Sequence, residues 1–201
     1  MRRLIIPALA LLLTGCGYNR IQTFDEQINA AQGQIKVQLQ RRADLVPNLV
    51  ETVRGYAQQE QTIFIAVADA RSRLSGAIQG GNVQQMADAN QGLTGALGRL
   101  IAIAENYPQL KSNENFRALQ DQLEGTENRI ATARGDYNTA VQQYNSFIRK
   151  FPYVLTAKVI GKRARTYFDV TNAAAAEAPR VNFGAPPAGA APTQVPGEKK
   201  Q

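Results

Sequence analysis

Apolar side chains recur at Ile28, Ile35, Leu39, Val46, Leu49, Val53, Tyr56, Ile63, Val67, Ala70, Leu74 and Ile78, separated by threes, fours and sevens. That period places them on one stripe of an α-helix. The stripe predicts a single first helix from near Tyr18 to Gln79, roughly 90 Å long if straight. Pro47 removes a backbone donor and presses on the carbonyl of Ala43, so a kink is expected there rather than a stop. Gly80-Gly81-Asn82 then turns the chain. A stricter three-four alternation follows in Val83, Met86, Asn90, Leu93, Leu97, Leu100, Ala104 and Tyr107, with Asn90 its one polar member. This second helix ends before Pro108, which pushes Tyr107 out of the helical region. Asn113 with Phe116, or Ser112 with Asn115, caps a third helix that carries Phe116, Leu119, Leu123, Ile130, Ala133, Tyr137, Val141, Tyr144 and Ile148 inward. A shorter fourth helix is expected from about Leu155 to Ala176, weakened by Gly161. Short connections between long amphipathic helices make antiparallel neighbours, so the fold class is all-α, a bundle of about four helices with the first very long and kinked at Pro47. The same heptads fit an oligomeric coiled coil, but the Gly80-Gly81 and Pro108 turns favour packing within one chain.

The two ends of the chain do not share this pattern. Met1-Arg2-Arg3 precedes an apolar run from Leu4 to Leu13, which is the layout of a secretory signal and too short for the roughly 20 residues of a membrane-spanning helix. Leu13-Thr14-Gly15-Cys16 resembles the lipobox of bacterial lipoproteins. It implies that residues 1–15 are removed and that Cys16, the only cysteine, carries diacylglycerol. At about 0.8 kcal/mol per buried methylene, two or three acyl chains hold a protein on a bilayer durably. Gly17 rather than Asp follows the lipidated residue, which points to an outer membrane and its periplasmic side in a two-membrane bacterium. At the other end, residues 178–201 hold five prolines and few large apolar side chains, the composition of a disordered tail. The bundle is therefore expected within residues 16–177.

Composition narrows the chemistry. The chain has no His, no Trp and a single Cys, which excludes imidazole bases, Ser-His and Cys-His pairs, His-ligated metals and structural zinc. No catalytic residue, cofactor or metal ligand is expected, and the chain is read as a non-enzyme. Its net charge is +7, yet export from the cytoplasm makes nucleic acid an unsuitable partner. Gly92-x-x-Gly95-x-x-Gly98 lacks the preceding strand and spacing of a phosphate loop, and is read as close helix packing or a loosened second helix. The carboxylates Asp121, Glu124 and Glu127 are read as a solvated face.

The residues 37–53, with Arg41-Arg42-Ala43-Asp44-Leu45-Val46-Pro47-Asn48-Leu49 at their centre, and Gly55-Tyr56-Ala57 resemble the signature of the LemA family. Tyr18-Asn19 before them and Ala68-Asp69-Ala70-Arg71, Glu114-Asn115-Phe116, Thr126-Glu127-Asn128-Arg129-Ile130, Ala133-Arg134, Tyr137-Asn138, Tyr144-Asn145 and Phe151-Pro152 after them extend the likeness over about residues 18 to 183. The resemblance implies long helices on a membrane anchor and no established enzymatic activity. Here a lipid stands in place of the family's more usual transmembrane helix. Because LemA-like proteins are often encoded beside TPM-domain proteins, the resemblance also makes a protein of that kind a candidate envelope partner.

Two clusters are candidate sites. Arg41, Asp44 and Asn48 fall at i, i+3 and i+7 beside Pro47, with Arg42 adjacent and Glu51 one turn on. They are read first as a network fixing helix register, with Arg or Asn supplying a donor to the carbonyl freed by Pro47, and second as a recognition patch for an acidic partner. The other cluster is the basic run from Arg149 to Arg165, without an acid between Asp136 and Asp169. Lys158, Lys162 and Arg165 are expected on one face of the fourth helix, as a solvated face or as a contact for anionic lipid. The sequence thus predicts a lipid-anchored helical protein that works by binding other envelope proteins. The alternative is a lipoprotein holding a small amphiphile between its helices.

Overall fold

The computed structural model describes the backbone of residues 2–169 and the side chains of residues 17–169. The Cys16 thiol, the side chains of the signal run and the tail at 178–201 lie outside the described residues. Those described fold as helices without strands: α1 Arg2–Arg54, α2 Gln61–Gly80, α3 Val83–Ala104, α4 Pro108–Lys111, α5 Glu114–Arg149 and α6 Tyr153–Val159.

The expected first helix is in fact two. α1 passes through Pro47, which lies exposed, and stops at Arg54; residues 55–60 then turn the chain into α2. Gly55 lacks the side chain that would support helix, and no large apolar residue falls between Tyr56 and Ile63 to hold a stripe in register. Ala57, buried beside Val53, takes the inward place, while Tyr56 points to the surface, where its hydroxyl accepts from Asn113 Nδ2 at 3.0 Å. The turn after α2 follows the sequence expectation. Gly81 adopts φ 69°, its N–H closes on Ala77 O, and Asn82 Oδ1 accepts from Gln85 N at 3.1 Å to cap α3. Asn113 caps α5 through Phe116 N at 3.0 Å.

The expected fourth helix is shorter than its pattern. Gly161 at φ 69° ends it, with Lys162 N bonding Ala157 O in the manner of a Schellman cap, and residues 163–169 continue without helix. We call residues 162–169 the strap.

Paired residues fix the topology. Arg71 on α2 reaches Ala43 and Gly81 just past its end reaches Gln32, while Glu127 on α5 reaches Arg42 and Phe147 reaches Phe24, so α2 and α5 run antiparallel to α1. α3 leaves the Gly81 turn near Gln32 and reaches Arg42 through Asn90, so it runs parallel to α1. Ile21, Ile28, Ile35, Leu39, Val46, Leu49 and Val53 are all at most 1% exposed and form the α1 stripe. The α2–α3 turn meets α1 near Gln32, whose Nε2 donates to Gly81 O at 2.7 Å. Residues 17–31 of α1 thus extend past that hairpin, and there α5, α6 and the strap cover them.

Candidate functional site

Three polar clusters tie the helices together, and each begins on α1. In the upper tier Arg42, 4% exposed, turns inward instead of outward. Its Nη1 donates to Asn90 Oδ1 at 2.7 Å and pairs with Glu127, so one guanidinium joins α1, α3 and α5. Burial disfavours the charge on Arg42 and the Glu127 carboxylate favours it, with the balance set below the ordinary value. Arginine keeps its proton across this range, so the consequence is structural: the cation stays and requires its partners. Glu127, which the sequence pattern assigns to the surface, is half-exposed and serves as one of them.

The predicted network around Pro47 does not assemble as expected. Arg41, Asp44, Asn48 and Glu51 all face solvent. Asp44 accepts from Gln40 at 2.8 Å, Glu51 from Arg54 at 2.8 Å, and the Asn48 carbonyl from Thr52 Oγ1 at 2.8 Å, each within α1. Only Arg42 enters the bundle, because it alone lies on the inward side of the stripe with Ala43 and Val46. The freed carbonyl of Ala43 does take a side-chain donor, but the donor comes from another helix. Arg71 Nε of α2 donates to Ala43 O at 2.9 Å, so the proline defect becomes the α1–α2 fastening. Arg71→Ala should therefore cost about 1–2 kcal/mol, the range for a hydrogen bond from a charged donor. Pro47→Ala supplies the missing N–H, so in that background the same substitution should cost less than half as much in denaturant melts. Equal losses in both backgrounds would show that Arg71 acts independently of the proline.

The lower tier corrects the reading of the basic run. Lys162 and Arg165 do not share a helix face with Lys158, since α6 ends at Val159. Lys162 Nζ reaches Asp25 Oδ2 at 2.7 Å and Arg165 Nη2 reaches Asp25 Oδ1 at 2.6 Å. Lys158 remains exposed on α6. Two asparagines one heptad apart on α5 hold the strap as neighbouring backbone would. Asn145 accepts from Arg165 N at 2.8 Å and donates to Arg165 O at 2.9 Å, while Asn138 accepts from Phe168 N at 2.8 Å and donates to Phe168 O at 3.2 Å. Tyr137 donates to Thr166 O at 3.0 Å, burial pushing its phenol up so that it remains protonated. Phe168 is 1% exposed, with the Arg134 guanidinium over its ring at 5.1 Å.

Burial pushes the Asp25 carboxyl up, but hydrogen bonds from Lys162 and Arg165 together outweigh it and hold Asp25 below 3.8. A folded-state value below the unfolded one stabilises at higher pH, and that contribution disappears as pH falls through the lowered value. Wild type should thus melt above Asp25→Asn from neutral pH down to about 4, and the two curves should converge below that. A constant gap between them down to pH 2 would contradict the pairing.

What the site can do chemically follows from these partners. Among the described residues there is no group of three or more His, Cys, Asp or Glu side chains that could hold a metal, and no helix long and apolar enough to cross a membrane. A surface groove of about 730 Å³ lies between α2 and α3, lined by Ala70, Ala77, Gly92 and Ala96 and by the charged residues Asp69, Arg73, Asp88 and Arg99. A side-chain carbon added at Gly92, Gly95 or Gly98 would meet nothing within 4 Å, so close packing within the chain does not account for these glycines. Sequence reasoning missed Asp25 and Arg71 as partners and gave Asn138 and Asn145 no role. Asn90 left a signal, the one polar position in an otherwise apolar stripe.

Residues 31–183 match the family model described as LemA family. Two proteins of Paramagnetospirillum magneticum, magnetosome proteins MamQ 1 and MamQ 2, are each 32% identical over 189 residues, covering 82% of this chain and 68% of the relative. Magnetosome protein MamQ of Magnetospirillum gryphiswaldense is 29% identical over 174 residues, covering 75% of this chain and 64% of its own.

Proposed function

The chain belongs to the LemA family, and from that premise we propose that it is a lipid-anchored, non-catalytic helical protein of the cell envelope that works by binding another protein at the membrane surface. The observation that carries this reading is that α1 runs from residue 16 into the bundle core without a break, so a chain that begins at Cys16 begins directly on the bundle. A bundle built on that helix is held close to whatever holds its N-terminus. Lipid on Cys16 is the anchor we assign, on the strength of Leu13-Thr14-Gly15-Cys16, with the protein on the periplasmic side of an outer membrane.

The absence of catalysis is supported by where the polar groups go. The cations Arg42, Arg71, Lys162 and Arg165 and the acids Asp25 and Glu127 are committed to partners in the chain. The relatives' description as magnetosome proteins supports association with a membrane. A TPM-domain protein is the partner we propose, since family resemblance is what brings it forward.

The test is crosslinking in intact cells followed by purification of the full chain from membranes, for wild type and Cys16→Ser. Wild type should carry a crosslinked envelope protein, and Cys16→Ser should lose both membrane sedimentation and the crosslink. A chain with no crosslinked protein whose melting point rises with added amphiphile would favour the small-ligand alternative instead, since a ligand bound only to the folded state stabilises it.

A further inference from the structure

The short helix α6 has one face that the bundle uses and one that it leaves in water. On the inner face Thr156 and Ala157 are buried, and Tyr153 stacks on Phe147 with ring centroids 4.2 Å apart, Phe147 in turn lying 5.3 Å from Phe24 of α1. The outer side carries Leu155 at 55% and Val159 at 87% exposure, one helical turn apart, and Phe151 in the turn that leads into α6 is 81% exposed. Single exposed apolar residues are ordinary, but two large ones on one face of a short helix with a third in the turn before it are an unpartnered surface.

Position and charge decide what covers it. A side-chain carbon on Gly17 would meet the Tyr153 ring at 2.8 Å, so α6 is seated against α1 directly beside Cys16. Tyr18, the next residue, is itself 46% exposed. Lys158 flanks the apolar stripe, and Arg149, Lys150 and Arg163 are exposed around it without an ion pair among the described residues. The nearby acid Asp25 is already neutralised by Lys162 and Arg165. An apolar ridge with free bases beside it matches the boundary of an anionic bilayer, where apolar groups meet acyl chains and bases meet headgroups. We propose that Phe151, Leu155 and Val159 lie in the interface of the anionic membrane that holds the lipid on Cys16, with Lys158 on its headgroups. The inference rests on the membrane-tether reading and adds that α6 is a second contact, which fixes how the bundle is oriented over the lipid.

The chain contains no tryptophan, so one introduced at a time reports its own surroundings. The full chain, purified in detergent with Phe151→Trp, Val159→Trp or Ile65→Trp, is reconstituted into vesicles with and without phosphatidylglycerol, in part of which the lipid is brominated. Ile65 is 61% exposed at the start of α2, which antiparallel packing puts at the far end of α1, and serves as the control. In anionic vesicles brominated lipid should quench emission at 151 and 159 by roughly half, and should leave 65 unchanged, as expected for side chains near the headgroup boundary. Lys158→Glu or neutral lipid should reduce the quenching. Vesicle flotation separates the two claims: chain that fails to float refutes the tether. Chain that floats with 151 and 159 unquenched, or with all three positions quenched alike, overturns the α6 contact.

Discussion

Glu127→Leu should melt roughly 6–12 °C below wild type, because about 3 kcal/mol is lost and each kcal/mol moves the midpoint of a domain this size by 2–4 °C. The larger effect is expected from the more exposed partner. Arg42 is 4% exposed, and without the carboxylate a buried guanidinium keeps its charge with Asn90 alone. Arg42→Met leaves behind an acid whose side chain is 42% exposed and can rehydrate, and it retains most of the buried stem. That variant should lose no more than about 1–2 kcal/mol, mostly the Asn90 hydrogen bond. Arg42→Met with Glu127→Leu removes both charges and should melt above Glu127→Leu alone. A double variant at or below Glu127→Leu would show that the pair does not carry the connection between α1 and α5.

The second large effect is kinetic and local. Asn138→Ala with Asn145→Ala deletes four side-chain hydrogen bonds to the backbone at Arg165 and Phe168. At about 1 kcal/mol each, the strap's docking should weaken by roughly 3–4 kcal/mol, which raises its open population at least a hundredfold. Trypsin reads that population directly at Lys162, Arg163 and Arg165 when closing is faster than cleavage. Cleavage in the strap should accelerate by about that factor while the upper tier melts nearly unchanged, since Arg42, Asn90 and Glu127 are not involved. Asn145→Asp is the sharper single change, because a carboxylate cannot donate to the Arg165 carbonyl. Unaltered cleavage in the double variant would mean that Asp25 and the Phe168 side chain hold the strap without the asparagines.

The helices are legible wherever burial alone determines periodicity. The stripe from Ile28 to Val53 and the alternation from Met86 to Ala104 both appear in the core where the pattern places them. The break at 55–60 is carried by Gly55 and by the apolar gap before Ile63, signals that a continuing three-four count obscures. Partners distant in sequence are not legible. Lys162 and Arg165 are read as a free basic face so long as Asp25, 137 residues before the first of them, is not known to be adjacent. The Pro47 site shows the boundary clearly. Removing the N–H of residue 47 dictates that Ala43 O needs a donor, but only packing specifies that Arg71 provides it. Arg41 and Arg42 are neighbours of one residue type, and the helical stripe alone separates the surface one from the buried one.

Whether the bundle is held at the membrane through its N-terminus by lipid on Cys16 is read from the intact mass of the mature protein extracted from the membrane fraction. The mature chain should begin at Cys16, lack residues 1–15 and carry the added mass of diacylglycerol with or without a further acyl chain. A membrane-extracted chain that retains Met1 or Arg2 at its start, with an unmodified Cys16, would contradict that anchor.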